Sequence, residues 1–118
     1  MDNNTINLQI SLINQNNVSC MWTKIKKAVC YHVKMIYKFK ADTINSNTHL
    51  VTKYGDIKSS EILEDRIIDR NLLWTTFLNV PRGTNNLNRY TRMFSFVVEA
   101  EDKEGNIISK SNEVNIDG

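Results

Sequence analysis

Phe94, Phe96, Val98 and Ala100 alternate with Ser95, Val97, Glu99 and Glu101. Only a strand, whose successive side chains point to opposite faces, turns that spacing into one dry face and one wetter face. The polar run Asp102-Lys103-Glu104-Gly105-Asn106 follows, with Gly105 able to adopt φ > 0, and the chain from Ile107 to Ile116 reads as the returning strand. That hairpin closes the chain as an antiparallel pair, so the C-terminal third points to an all-β module.

The rest of the chain fits that layout. Ile6, Leu8, Ile10 and Leu12 alternate with polar residues over 6–13, Asn14 to Asn17 supply a turn, and strands are expected over about 17–23 and 29–39. A polar loop from Ala41 to Thr48 ends the third strand, and His49 to Tyr54 reads as an edge strand with Gly55-Asp56 as its turn. Leu72 to Val80 reads as a strand carrying Leu72, Trp74, Leu78 and Val80 on one parity. The core is expected to include Leu8, Ile10, Trp22, Tyr31, Val33, Leu78, Phe96, Val98 and Ala100. In Ile57 to Arg70, Leu63 and Ile67 lie four apart amid charge, which suits a helical turn with a serine cap or a crossing strand. Sandwich topology favours the extended form, because a helix here must leave the sheet and return within few residues.

The spacing of Phe94 to Ala100, Gly105 and then Ser111-Asn112 before a last strand resembles the final two strands of a fibronectin type III domain. Val18-Ser19-Cys20-Met21-Trp22 is similar to that family's second strand with its core tryptophan. Tyr31-His32-Val33-Lys34-Met35-Ile36-Tyr37 is similar to its third, and Val80-Pro81-Arg82-Gly83-Thr84 to the approach to its sixth. The resemblance implies a seven-stranded antiparallel β-sandwich of the immunoglobulin-like type, here with an elongated middle segment and a long loop before the sixth strand. Phe94 stands where the family's corner tyrosine would supply a hydroxyl, with Tyr90 as a substitute.

A chain of 118 residues matches a single domain, spanning 1–118, with enough apolar residues for one core without disulfide staples. Its net charge of +2 does not call for a nucleic-acid partner. The one basic cluster, Lys24-Ile25-Lys26-Lys27, reads as a solvated turn rather than an anion-binding patch. No run approaches the ~18 apolar residues of a membrane span, and the N-terminus lacks a signal-peptide pattern. The chain is therefore either a protein of the cell interior or a domain excised from a longer exported protein, extracellular or cell-surface in that case. Cys20 shares the inward parity of Trp22 whereas Cys30 has the outward parity, opposite to Tyr31, so two free thiols are expected.

His32 and His49 are the only histidines, and neither is flanked at the ligand spacings of zinc motifs, so no metal is expected there. Glu61, Glu64, Asp65 and Asp69 lack the pattern of a calcium loop. No nucleophile elbow, phosphate-cradling loop or helical zinc motif occurs, so neither catalysis nor a cofactor is expected. Two functions remain, a protein-interaction module that binds through loops or a sheet edge, and a structural spacer in a larger surface protein or multidomain enzyme. For the first, binding is expected on the loop from Arg82 to Arg92, with Arg82, Arg89, Tyr90 and Arg92 as contact residues, or on the charged segment Glu61 to Arg70.

Overall fold

The structure, a computed structural model, describes residues 5–14, 16–41, 43–44, 51–53, 57–80 and 90–117. Ten strands occur among these: β1 (Leu8–Ile13), β2 (Asn17–Trp22), β3 (Cys30–Ala41), β4 (Thr43–Ile44), β5 (Val51–Lys53), β6 (Ile57–Asp69), β7 (Trp74–Phe77), β8 (Tyr90–Glu101), β9 (Ile107–Lys110) and β10 (Val114–Asp117). One sheet has the order β1-β2-β7, and the other has β10-β8-β3-β6 with β9 also on β8. All pairings are antiparallel, and β4 and β5 form a separate ribbon. The described residues contain no helix long and apolar enough to cross a membrane.

The two sheets enclose one core. Val18, Cys20 and Trp22 of β2 and Phe77 of β7 face Tyr31 and Val33 of β3 and Phe94, Phe96, Val98 and Ala100 of β8, all buried. The aromatic rings meet tilted, Phe77 on Phe96 at 5.5 Å and Trp22 on Tyr31 at 5.6 Å between centroids, the offset geometry that ring quadrupoles favour. The Tyr31 hydroxyl accepts the Ile25 amide at 3.0 Å, fixing the loop from β2 to β3. A phenol thus anchors backbone here from the middle of the sheet, while Phe94 lies buried in the core without a hydroxyl. Lys24, Lys26 and Lys27 are exposed around the buried Ile25, as a solvated turn requires.

Three expectations need correction. The returning strand is not continuous, so the two sheets hold eight strands rather than seven. Ser111 causes the break: its hydroxyl takes the Val98 amide at 2.8 Å, and its own amide donates to the Val98 carbonyl at 2.8 Å. One side chain thereby stands in for a backbone acceptor, and the ladder restarts three residues later at Val114. Leu78 is not in the core but 67% exposed, and Leu72 and Trp74 are exposed too, while Thr75 and Phe77 point inward. The parity fails because Asn79 is left-handed (φ 56), which shifts the phase so that Phe77 and Val80, three apart, are both buried. In β1 the inward face fades along the strand, with Leu8 buried, Ile10 half-buried and Leu12 exposed.

The middle segment is extended, as sandwich topology favours: Ile57 to Asp69 pairs with β3 along nearly its whole length. The Asp102–Asn106 turn forms as read from sequence. Asp102 Oδ1 accepts the amides of Glu104 and Asn106, and Gly105 takes φ 85. Cys20 and Cys30 are free thiols, the first buried in the core. The candidate edge strand at 49–54 is described only at Val51–Lys53, which pairs with Thr43–Ile44.

Candidate functional site

β3 and β6 are 12 and 13 residues long and share the large sheet with the 12-residue β8. Because the period of a strand is two, the residues of β3 that do not face the core line up on the sheet's outer surface as Cys30, His32, Lys34, Ile36 and Lys38. Register places Glu101, Glu99, Val97 and Ser95 of β8 opposite the first four of these, and Asp69, Ile67, Asp65 and Ile62 of β6 on the other side. Lys34 Nζ reaches Glu99 at 2.6 Å and Lys38 pairs with Glu113. Ser95 and Val97 are buried on this outer face, which is consistent with the long lysine stems lying across it.

At one end of this row four side chains converge. Cys30 Sγ donates to Glu101 Oε2 at 3.3 Å, His32 Nε2 lies 3.1 Å from Glu101 Oε1, and His32 Nδ1 lies 3.2 Å from Asp65 Oδ1. An ionised carboxylate only accepts, so a ring held between two of them donates from both nitrogens. Burial works against the charged ring, but the hydrogen bonds and charges of Glu101 and Asp65 outweigh it and raise His32 above its ordinary value. Burial, then the Glu101 hydrogen bond and the charges of Glu101 and Asp69, raise the Cys30 thiol, while donation from Cys30 and His32 lowers Glu101. The sulfur, an imidazole nitrogen and a carboxylate oxygen of Cys30, His32 and Glu101 lie within 4.8 Å of one another.

The second feature is the free side of β6, which pairs with β3 and with no other strand among the described residues. Its register slips between Met35 and Ile36, so Leu63 is an extra residue that bulges from the ladder. Ile62 and Ile67 on the outer face are 54% and 65% exposed, and Leu63 is also exposed. The other strand margins of the two sheets are shorter. Asn112 accepts the Leu8 amide at 3.0 Å and donates to the Leu8 carbonyl at 3.3 Å, occupying the first residue of the β1 margin. Arg66, reaching back from β6 between the sheets, donates to the Thr76 carbonyl at 2.9 Å and so occupies the margin of β7. The far side of the large sheet is two four-residue strands interrupted at Ser111.

Of the residues expected to bind a partner, Arg82 and Arg89 lie outside the described residues, and Tyr90 and Arg92 sit on β8 opposite Ala41 and Phe39 of β3. Glu61 to Arg70 falls on the free edge, apart from Arg70 at its end. The grouping of Cys30, His32, Asp65 and Glu101 was not anticipated. A Cys-x-His spacing puts both groups on one face where the chain is a strand, so the pair becomes visible once that segment is read as extended. Glu101 joins through register with Cys30, which no spacing along the chain encodes. The chain matches no protein-family model and no curated protein.

Proposed function

We propose that the chain is a non-catalytic protein-interaction module of fibronectin type III-like architecture that binds an extended segment of a partner protein along the free edge of β6. The observation that carries this reading is the edge itself: thirteen residues, paired on one side only among the described residues, with Ile62, Leu63 and Ile67 exposed along it. Soluble proteins keep such edges short, charged or covered, and the opposite margin of the same sheet is two strands of four residues. A strand added to a sheet edge gains affinity from main-chain hydrogen bonds and specificity from alternate side chains. The fitting occupant is an extended segment with apolar residues at alternate positions, able to cover Ile62 and Ile67. The family reading is supported by the layout of β1-β2-β7 against β6-β3-β8 followed by β9 and β10, in which the second and third strands fall in opposite sheets.

The test is a partner-capture experiment with Ile62→Lys and Ile67→Lys combined, set beside Arg89→Ala with Tyr90→Ala. Loss of partner in the first variant, with unchanged melting, is expected. Capture of every wild-type partner by the β6 variant overturns the edge reading, and loss in the second variant alone moves the site to the loop before β8. Turnover of a substrate by the purified chain overturns the non-catalytic reading.

A further inference from the structure

We propose that Cys30, His32 and Glu101 form a binding site for one divalent ion of the zinc class, with Asp65 as the outer carboxylate that orients His32. The donors are a thiol, an imidazole and a carboxylate, the set that zinc and its neighbours in the first transition row prefer over calcium or magnesium, which take oxygen alone. They come from two adjacent strands of a packed sheet. Cys30 and His32 share a face of β3, and Glu101 stands directly across from Cys30 on β8.

The geometry is close to what a tetrahedral ion needs. With zinc bonds of about 2.0 to 2.3 Å, donors around one ion lie roughly 3.3 to 3.7 Å apart. Glu101 Oε2 is 3.3 Å from the sulfur and its Oε1 is 3.1 Å from the ring nitrogen, and one ligand atom from each of the three residues lies within 4.8 Å of the other two. Closing the three donors on an ion therefore takes a movement of about 1 Å, within reach of side-chain torsions.

Asp65 gives the arrangement its direction. It holds Nδ1 of His32 at 3.2 Å, which leaves Nε2 as the nitrogen turned toward Glu101. A carboxylate on the far nitrogen of a ligating histidine fixes the tautomer and strengthens the ligand. In the metal-free protein the Cys30 proton and the His32 Nε2 proton both point at Glu101. A bound ion replaces both and releases them to solvent, so thiolate and carboxylate together balance its charge. The side chains of His32 and Glu101 keep 16% and 28% of their exposure, which leaves an approach for the ion and room for a water as fourth ligand.

Cobalt(II) is the probe, because thiolate ligation gives a charge-transfer band that oxygen-only binding does not. The reduced, metal-free full chain, titrated with cobalt chloride at neutral pH, is expected to develop this band and saturate at one equivalent. Zinc should remove it and magnesium or calcium should not. Cys30→Ser should abolish the band, and Cys20→Ala should leave it unchanged. Asp65→Asn should keep the band but weaken binding by roughly ten- to hundredfold, the range for loss of such an outer carboxylate. Circular dichroism of each variant separates loss of the site from loss of the fold. A chain that shows no saturable thiolate band, or a band that survives Cys30→Ser in folded protein, overturns the proposal.

Discussion

Arg66 should behave as a latch between the sheets, and its removal is the most informative single test of the sandwich. Its Nη1 donates to Thr75 Oγ1 at 2.8 Å and to the Thr76 carbonyl at 2.9 Å, its Nε reaches Glu64 at 2.6 Å, and its guanidinium lies 4.3 Å from the centre of the Phe77 ring. Hydrogen bonds from a charged donor contribute about 1.5 to 3 kcal/mol each when buried. Arg66 is 30% exposed and shares one nitrogen between two acceptors, so the lower end, about 1.5 kcal/mol for both, is appropriate. The ring contact adds about 0.5 to 1 kcal/mol, and the half-exposed Glu64 pair adds no more than about 0.5. Arg66→Ala should therefore cost about 2 to 3 kcal/mol, which for a domain of this size lowers the melting midpoint by roughly 8 to 12 °C. Arg66→Lys keeps the charge but loses the fork and should fall about midway. Urea titration followed by tryptophan fluorescence, with Thr75→Val completing a double-mutant cycle, measures both the cost and the coupling. A cost for Arg66→Ala below about 0.5 kcal/mol, or no coupling to Thr75, would refute the latch.

The corrected parity of β7 predicts that Phe77→Ala costs about 3 to 5 kcal/mol whereas Leu78→Ala stays within about 0.5 kcal/mol, both read from denaturant midpoints; equal costs would restore the opposite phase. Burial pushes the Cys20 thiol up to about 12, with Arg66 lowering it slightly, so native protein treated with iodoacetamide at pH 8 should be labelled at Cys30 and not at Cys20, and both should label in urea. The same shift has a pH signature. Between about 9 and 12 the unfolded chain loses the Cys20 proton while the folded one retains it, so stability falls as pH rises, by at most about 1.4 kcal/mol per pH unit. Cys20→Ala should remove that part of the slope, and an identical slope in the variant would place the thiol outside the core.

Strands with one buried face and a strict period of two were legible, which is why Cys20 and Trp22, Tyr31 and Val33, and Phe94, Phe96, Val98 and Ala100 fall as expected in the core, whereas Ser95 and Val97, expected on the wetter face, are buried as well. The phase is lost where one residue leaves the extended region. Asn79 does this through a left-handed backbone, held by the Asn17 side chain, whose oxygen accepts the Asn79 amide at 3.0 Å. Ser111 does it by substituting a hydroxyl for a backbone carbonyl. Both effects rest on a contact with a distant partner, and residue order does not display such contacts. The acidic and aliphatic composition of Glu61 to Asp69 was plain in the sequence, but its place at the open margin of a sheet follows only from strand order. The Cys30, His32 and Glu101 cluster was half legible: two members share a strand face, and the third arrives through pairing across seventy residues.

The inequality of the sheet margins sets how far strand addition can run. Growth into a fibre needs a unit that accepts a strand on one side and offers one on the other, so that each addition regenerates a sticky end. Here one margin of the large sheet is a single thirteen-residue strand carrying a bulge, and the opposite margin is two short pieces separated at Ser111. A partner seated on β6 consumes the one long margin among the described residues, and a second copy seated there, antiparallel, consumes both at once around a twofold axis. Either event terminates after one step. If a partner strand adds to β6, the serine that interrupts the last strand would hold that addition to one step, from the opposite margin of the same sheet.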